Sequence, residues 1–330
     1  MFQRIFRVLT STLPVLVKVL AAGMCHSDLM FYEGKHKLSR DQPFTMGHEG
    51  AGEIIALGRS VPSTFPDLSL QQYVVIHSTN PCLLPTCAQC SIDADNICVQ
   101  NIPYGLGIDG AYAPYVAVPA RIIVPVKATK EQIPPAVAAV STDAVLTSYH
   151  ALRNVKEGET VLIVGVGGLG INAVQIAKNV RRAKTVIATD TREEILQTAL
   201  DVGADYAVRP EDLAELLSSK KLVVDTGCDF VGVDSTYNTI LQHVRSRGTI
   251  LLIGMGSASI GLPLVAAARK EITVKSNYWG TRAELSEVLE ILKTGQVKPV
   301  VETRPLSRAV EAFEDMRNAR LKGRVALIPQ

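Results

Sequence analysis

The sequence predicts an α/β fold in two parts, a β-rich segment and a doubly wound parallel sheet, and two observations carry that prediction. Before residue 141, β-branched runs at 15–20, 52–57, 73–77, 115–118 and 121–124 are separated by turn residues, with little helical spacing. Beyond it, strand-like runs at 160–165, 185–189, 206–208, 222–225 and 249–253 alternate with helical spacing at 169–179 and 192–202. Continuous apolar strands alternating with helices make buried, parallel βαβ units. A helix at 283–293 closing at Gly295, a charged helix at 308–320 and a strand at 323–328 complete the chain. We therefore expect a β-rich domain over 1–140 and 282–330, interrupted by a doubly wound domain over 141–281.

Composition sets the outer bounds. The chain has 330 residues, room for two domains, with 47% hydrophobic and 20% charged residues, as in globular proteins. A net charge of +2 and 5% aromatic residues argue against nucleic acid as a partner. No apolar run approaches the roughly 20 residues of a spanning helix, so no membrane partner is expected. The first twenty residues combine basic and apolar residues as targeting peptides do, but Arg7 and Lys18 interrupt them, and they read as part of the fold.

Chemistry enters first at Gly165-Val166-Gly167-Gly168-Leu169-Gly170, a G-x-G-x-x-G run placed between an apolar strand and a helix. Gly165 permits the tight turn, Gly167 lets backbone approach a pyrophosphate, and Gly170 allows close helix–strand packing. The helix N-terminus favours phosphate. Asp190 ends the next strand, where a carboxylate accepts from the ribose hydroxyls and repels a 2′-phosphate, so NAD is expected over NADP. Arg192, two residues on, softens that preference.

Of six cysteines, Cys82, Cys87, Cys90 and Cys98 fall in one loop, at intervals of x4, x2 and x7. The pattern favours a closed tetrahedral zinc site over two disulfides or incidental thiols. Clustered metal-binding thiols suit a reducing compartment, and we expect a cytoplasmic protein. Cys25, His48 and Asp143 are further candidate ligands, although singly each has a plainer reading: a small buried hydrophobe, a core histidine, and a helix N-cap.

The runs AAGMCHSD, GHEGAGEI, GIDGAYAPYVAVP, TDAVLTSYHAL, VGVGGLG and NYWGTRAEL, with the four-cysteine lobe among them, change that balance. In this order the chain resembles the zinc-containing medium-chain dehydrogenases of the alcohol dehydrogenase type. The resemblance implies a GroES-like catalytic domain, a Rossmann coenzyme domain, two zinc ions per chain and NAD. It implies hydride transfer between a primary or secondary alcohol and NAD, giving aldehyde or ketone, and the reverse. A polyol or sugar dehydrogenase, or an inactive zinc- and nucleotide-binding relative, are the alternatives.

The same resemblance implies a catalytic zinc on Cys25, His48 and Asp143, with Glu49 able to join and Asp28 orienting His48. Ser27 would take the alcohol proton, His26 would face the pyrophosphate, and Gly232 and Gly254 would border the nicotinamide. Phe31, Tyr32, Tyr104 and Trp279 are expected near the substrate. A homodimer or homotetramer, paired through an edge strand near 272–278, is also implied. Three departures stand out: Met30 replaces a frequent histidine of the proton relay, 1–13 does not look like the strands relatives carry there, and 68–75 lacks their Gly-Asp turn. The lobe also has two extra residues between Cys82 and Cys87.

Overall fold

The structure is a computed structural model, and it describes residues 14–35 and 43–330. The expectation of shortened strands over 1–13 lies outside the described residues. In chain order, β1 (Pro14–Met24) leads into helix α1 (His26–Tyr32), β2 (Glu49–Leu57), the single turn α2 (Val61–Thr64) and β3 (Tyr73–Ile76). After the cysteine lobe come β4 (Tyr115–Pro119) and β5 (Ile123–Pro125). The run at 121–124, expected as one strand, is divided: Ala120–Ile122 forms a 3-10 turn behind Pro119 and only then does β5 begin.

Helix α3 (Pro135–Val140) continues through a π-helical segment, Ser141–Val145, into α4 (Leu146–Leu152). Asp143 is therefore inside a continuous helix and is not an N-cap. The second sheet is built from β6 (Thr160–Val164), β7 (Thr185–Thr189), β8 (Tyr206–Val208), β9 (Val224–Asp229), β10 (Val244–Leu252) and β11 (Thr273–Ser276). Helices α5 (Gly170–Gln175), α6 (Glu193–Asp201), α7 (Leu213–Lys220), α8 (Asp234–His243) and α9 (Leu264–Lys270) alternate with them. The chain ends with α10 (Arg282–Lys293), β12 (Val301–Pro305), α11 (Ala309–Arg317) and β13 (Arg324–Ile328).

Two compact units result, one of residues 1–146, 280–293 and 299–330, the other of 147–279 and 294–298. In the first, the sheet runs β12-β13-β1-β2-β3-β5, with β4 added on β1. Val15, Val17 and Val19 alternate inward along β1 and pack with Ile54, Val74, Ile76 and Ile122. In the second, all strands are parallel in the order β11-β10-β9-β6-β7-β8, the doubly wound Rossmann arrangement that reverses direction beside β6. β6 and β7 are buried along their whole length, which is why their apolar runs are unbroken. Among the described residues no helix is long and apolar enough to cross a membrane.

The missing Gly-Asp turn before β3 is replaced, not lost. Gln71 adopts φ +64 and donates its N–H to the Ile54 carbonyl, while the Gln72 side chain closes the loop on Ser69 and Asp67. A left-handed non-glycine residue costs about 1–2 kcal/mol, partly offset by its lower chain entropy. Gln71→Gly is expected to stabilise the protein by up to about 1 kcal/mol; a thermal melt showing a lower midpoint would contradict this account of the turn.

Candidate active site and metal centres

Cys25, His48, Glu49 and Asp143 converge from three separate elements, their ligand atoms all within 4.8 Å of one another. Cys25 sits at the N-cap of α1, directly after β1. His48 directly precedes β2 and Glu49 opens it; β2 pairs antiparallel with β1 and sets Glu49 opposite Gly23. A side chain at Gly23 would collide with the Glu49 carboxylate, so glycine is required there. Asp143 lies on the π-helical segment, where one wide turn carries its carboxylate to 3.7 Å from His48 Nε2.

Asp28 organises this cluster from behind. Its fully buried carboxylate pairs through Oδ1 with His48 Nδ1 at 3.1 Å. Its other oxygen accepts from the Cys25 N–H at 3.0 Å and the Tyr112 hydroxyl at 3.0 Å. Holding Nδ1 on a carboxylate leaves Nε2 facing Cys25 and Asp143, the tautomer a metal ligand needs. Arg324, at the start of β13, approaches from the other side. It donates to Asp143 Oδ2 at 2.8 Å and to the Met24 carbonyl at 2.8 Å, and lies 3.3 Å from Glu49 Oε1.

The charges match a bound cation. Burial raises Glu49 well above the ordinary carboxylate range against the pull of Arg324. Burial also opposes a charge on His48, but Asp28 and hydrogen bonds to Asp143, Asp28 and Cys25 outweigh it and lift its pKa well above the usual value. Both Glu49 oxygens are buried without a hydrogen bond. A divalent ion among these groups would favour ionised Glu49 and neutral His48, their ligand forms. A thiol, an imidazole and a carboxylate gathered so closely fit zinc held by three protein ligands with a further position open.

The lobe is a second centre. Sγ–Sγ separations are 3.7 Å for Cys82–Cys90 and Cys82–Cys98, and 3.9 Å for Cys87–Cys98. Four sulfurs about 2.3 Å from one ion would be about 3.8 Å apart, so these spacings fit zinc and exclude bonded sulfurs. All six cysteines are free. Backbone N–H groups of Cys90 and Gln89 lower the Cys87 thiol to about 6, whereas burial and then Cys87 push Cys90 up to about 12. Such thiols do not ionise together without a cation among them. The longer Cys82–Cys87 interval turns through Leu83 at φ +53, and Asp95 of the lobe accepts the Arg282 N–H at the start of α10.

In the other unit, β6 runs into Gly165 at φ +85, and Leu169 is the N-cap of α5, one residue later than the sequence places the helix start. A side chain at Gly170 would strike the Gly165 carbonyl, while one at Gly167 would meet only Arg192, at 3.9 Å. Gly168 completes this turn. Asp190 follows β7, accepts the Val166 N–H at 2.9 Å and is ion-paired with Arg192 at 3.1 Å. Gly232, after β9, and Gly254, after β10, lie against each other, and Asp229 accepts the N–H groups of Val231 and Gly232 at 2.9 and 2.8 Å.

Of the remaining expected site residues, Ser27 is half-buried with its hydroxyl 3.7 Å from Cys25 Sγ, and His26 is exposed. Tyr104 does not line a substrate site: it is 0% exposed, packed in the β-domain core with Ile76 and Ala111. Trp279 belongs to the Rossmann unit and is buried, while Phe31 and Tyr32 ride on α1. Arg324, Tyr112 and Asp229 carry no role in the sequence reading. Tyr112 lies inside the GIDGAYAPYVAVP run, but nothing local marks Arg324 as the neighbour of Asp143, 181 positions away.

Comparison with known proteins agrees with this geometry. Residues 12–128 match the family described as alcohol dehydrogenase GroES-like domain, and residues 168–294 match zinc-binding dehydrogenase. An alcohol dehydrogenase of Geobacillus stearothermophilus is 30% identical over 320 residues, covering 95% of this chain and 91% of that protein. The NAD complex of an acetophenone reductase from Geotrichum candidum is 34% identical with a TM-score of 0.84, covering 96% and 90% of the two chains. A D-arabinose dehydrogenase of Sulfolobus solfataricus is 25% identical with a TM-score of 0.83, covering 97% and 94%. With two centres suited to zinc, a Rossmann sheet and full-length similarity to these enzymes, the chain belongs to the zinc-containing, NAD-linked medium-chain alcohol dehydrogenase family.

Proposed function

We propose that the protein interconverts a primary or secondary alcohol with its aldehyde or ketone, using NAD. The observation that carries this reading is the closed set of Cys25, His48, Glu49 and Asp143 within 4.8 Å. A zinc ion held there by Cys25, His48 and Asp143 would supply Lewis acidity toward the substrate oxygen. Asp28 keeps the His48 tautomer and ring orientation fixed, and Arg324 holds the carboxylates of Asp143 and Glu49 in place. Ser27 Oγ accepts the proton the alcohol gives up, while the carbinol carbon releases hydride to the nicotinamide ring. In the reverse direction Ser27 returns the proton. Met30 cannot relay it further, so the proton passes from Ser27 to water.

An apolar substrate is favoured over a polyol because Met30 and Phe31 follow Ser27 by three and four residues and share its side of α1. Phe31 packs edge-on against Phe44 at 6.5 Å. We further infer a homodimer or homotetramer joined through β11, the edge strand whose four residues are all exposed. A cytoplasmic location fits the free cysteines.

Purified protein is expected to carry about two zinc per chain by elemental analysis and to reduce NAD with aliphatic or aromatic alcohols. Turnover confined to sugars or polyols would reassign the substrate class. NADH binding without turnover of any of these substrates would identify an inactive relative.

A further inference from the structure

Four consecutive polar residues, His77, Ser78, Thr79 and Asn80, are buried where the chain leaves β3 for the cysteine lobe. Buried polar groups persist where they have partners, and the partners here are specific. His77 Nε2 donates to the Gly280 carbonyl at 2.9 Å, and its Nδ1 accepts the Thr79 hydroxyl at 3.0 Å. Ser78 turns toward the catalytic centre. Gly50 pairs with Ile76 across antiparallel β2 and β3, and continuing that register sets Ser78 beside His48. The Ser78 hydroxyl donates to the His48 carbonyl at 2.9 Å and lies 3.2 Å from the Thr142 carbonyl, one proton shared by two acceptors. The Tyr104 N–H in turn holds the Ser78 carbonyl at 3.1 Å.

We infer that Ser78 is a positioning residue of the catalytic centre, its hydroxyl setting the separation of the peptides that carry His48, Glu49 and Asp143. The inference deepens the zinc-dehydrogenase reading above and rests on it. A peptide is planar, so fixing its carbonyl fixes the Cα atoms on both sides. The His48 carbonyl belongs to the peptide joining His48 to Glu49, and the Thr142 carbonyl to the one joining Thr142 to Asp143. One hydroxyl thus links the backbones of three of the four candidate ligands, which arrive from a strand and a helix far apart in the chain. The helix needs such a tie. The Leu146 N–H reaches back to the Ser141 carbonyl, the i→i−5 bond of a π turn. The Ser141 and Thr142 hydroxyls bond the Ala138 and Ala139 carbonyls at 2.6 and 2.8 Å. Hydroxyls that bond back along a helix bend it. The local sequence therefore loosens this turn, and the tie to β3 fixes where it comes to rest. Ser78 is 1% exposed, so bulk water does not replace its hydroxyl once that is removed. The quantity it governs is the 3.7 Å between His48 Nε2 and Asp143 Oδ2.

The test is Ser78→Ala, a nearly isosteric change, in the zinc-loaded protein. Wild type and variant are titrated with a chelator while bound zinc is counted, and Cys25→Ala identifies which zinc belongs to the catalytic centre. That centre is then reloaded with Co(II) and its visible absorption recorded. In Ser78→Ala the catalytic zinc should be held about tenfold to a hundredfold more weakly, the range for losing a group that supports metal ligands, with the lobe zinc unchanged. The Co(II) bands should shift and kcat for alcohol should fall by a similar factor, while the NADH dissociation constant stays as in the wild type. Ser78→Thr, which keeps the hydroxyl, should bring zinc affinity and bands back toward the wild type. A lower thermal midpoint with zinc affinity, bands and kcat unchanged, or both zinc ions weakened together, would overturn the inference and leave the dehydrogenase reading standing. A Cys25→Ala variant that keeps every zinc of the wild type would overturn both.

Discussion

Asp143→Ala is expected to lower kcat/KM for alcohol oxidation by about a thousandfold or more, and to leave one zinc per chain in place of two. A Lewis acid contributes several kcal/mol to such a reaction, and about 1.4 kcal/mol is a factor of ten. The loss has a second component. Arg324 donates to Asp143 at 2.8 Å inside a buried site, so truncation removes that partner and leaves the guanidinium with Glu49, Cys25 and a backbone carbonyl. Breaking a buried pair costs about 3–5 kcal/mol, and the thermal midpoint should fall as well. Asp143→Cys separates the two components. A thiolate is itself a zinc ligand, so the cysteine variant is expected to retain zinc while still losing the ion pair. Full activity and two zinc ions in Asp143→Ala would remove Asp143 from the ligand set.

The second large effect is expected at the lobe. Cys90→Ser removes one of four sulfurs spaced 3.7–3.9 Å apart, and zinc should fall from two to one per chain. The lobe has little else to hold it: Ile92, Ile97 and Val99 are 73%, 52% and 78% exposed. Structural zinc contributes on the order of 10 kcal/mol to folding such segments. Loss of the lobe also removes the Asp95 acceptor from the first turn of α10. We expect the thermal midpoint to drop by roughly 10 °C and proteolysis to begin between Cys82 and Cys98. A variant that melts like the wild type, with both metals retained, would show that the cysteines are incidental.

Legibility in the sequence followed the range of the forces involved. Strands β7 and β8 were readable to the residue, β7 as a continuously buried parallel strand and β8, half-buried at the sheet edge, as a short run between turn residues. The glycine turn was equally plain, since Gly165 and Gly170 answer to backbone sterics within six residues. Boundaries set by geometry rather than polarity were not. The run at 121–124 has strand composition, yet the chain must turn between β4 and β5, and half of the run becomes a 3-10 turn. Tyr104 was expected near the substrate, and its complete burial could be known only from packing.

What the sequence determined by itself was the inventory: four soft ligands in one loop, a thiol, an imidazole and carboxylates for a second centre, and a dinucleotide turn followed by Asp190. These are encoded by residue type and short spacing, which the chain carries whether folded or not. The tertiary structure decided their state. Asp143 came within 3.7 Å of His48 because it lies on a π-helical segment, and Arg324 became its partner because β13 pairs with β1 beside Met24. Asp190 and Arg192 became one neutral pair because Val166 and Arg192 together fill the carboxylate. Burial, charge balance and the occupancy of hydrogen-bonding sites are properties of neighbours in space, and only the fold supplies those neighbours.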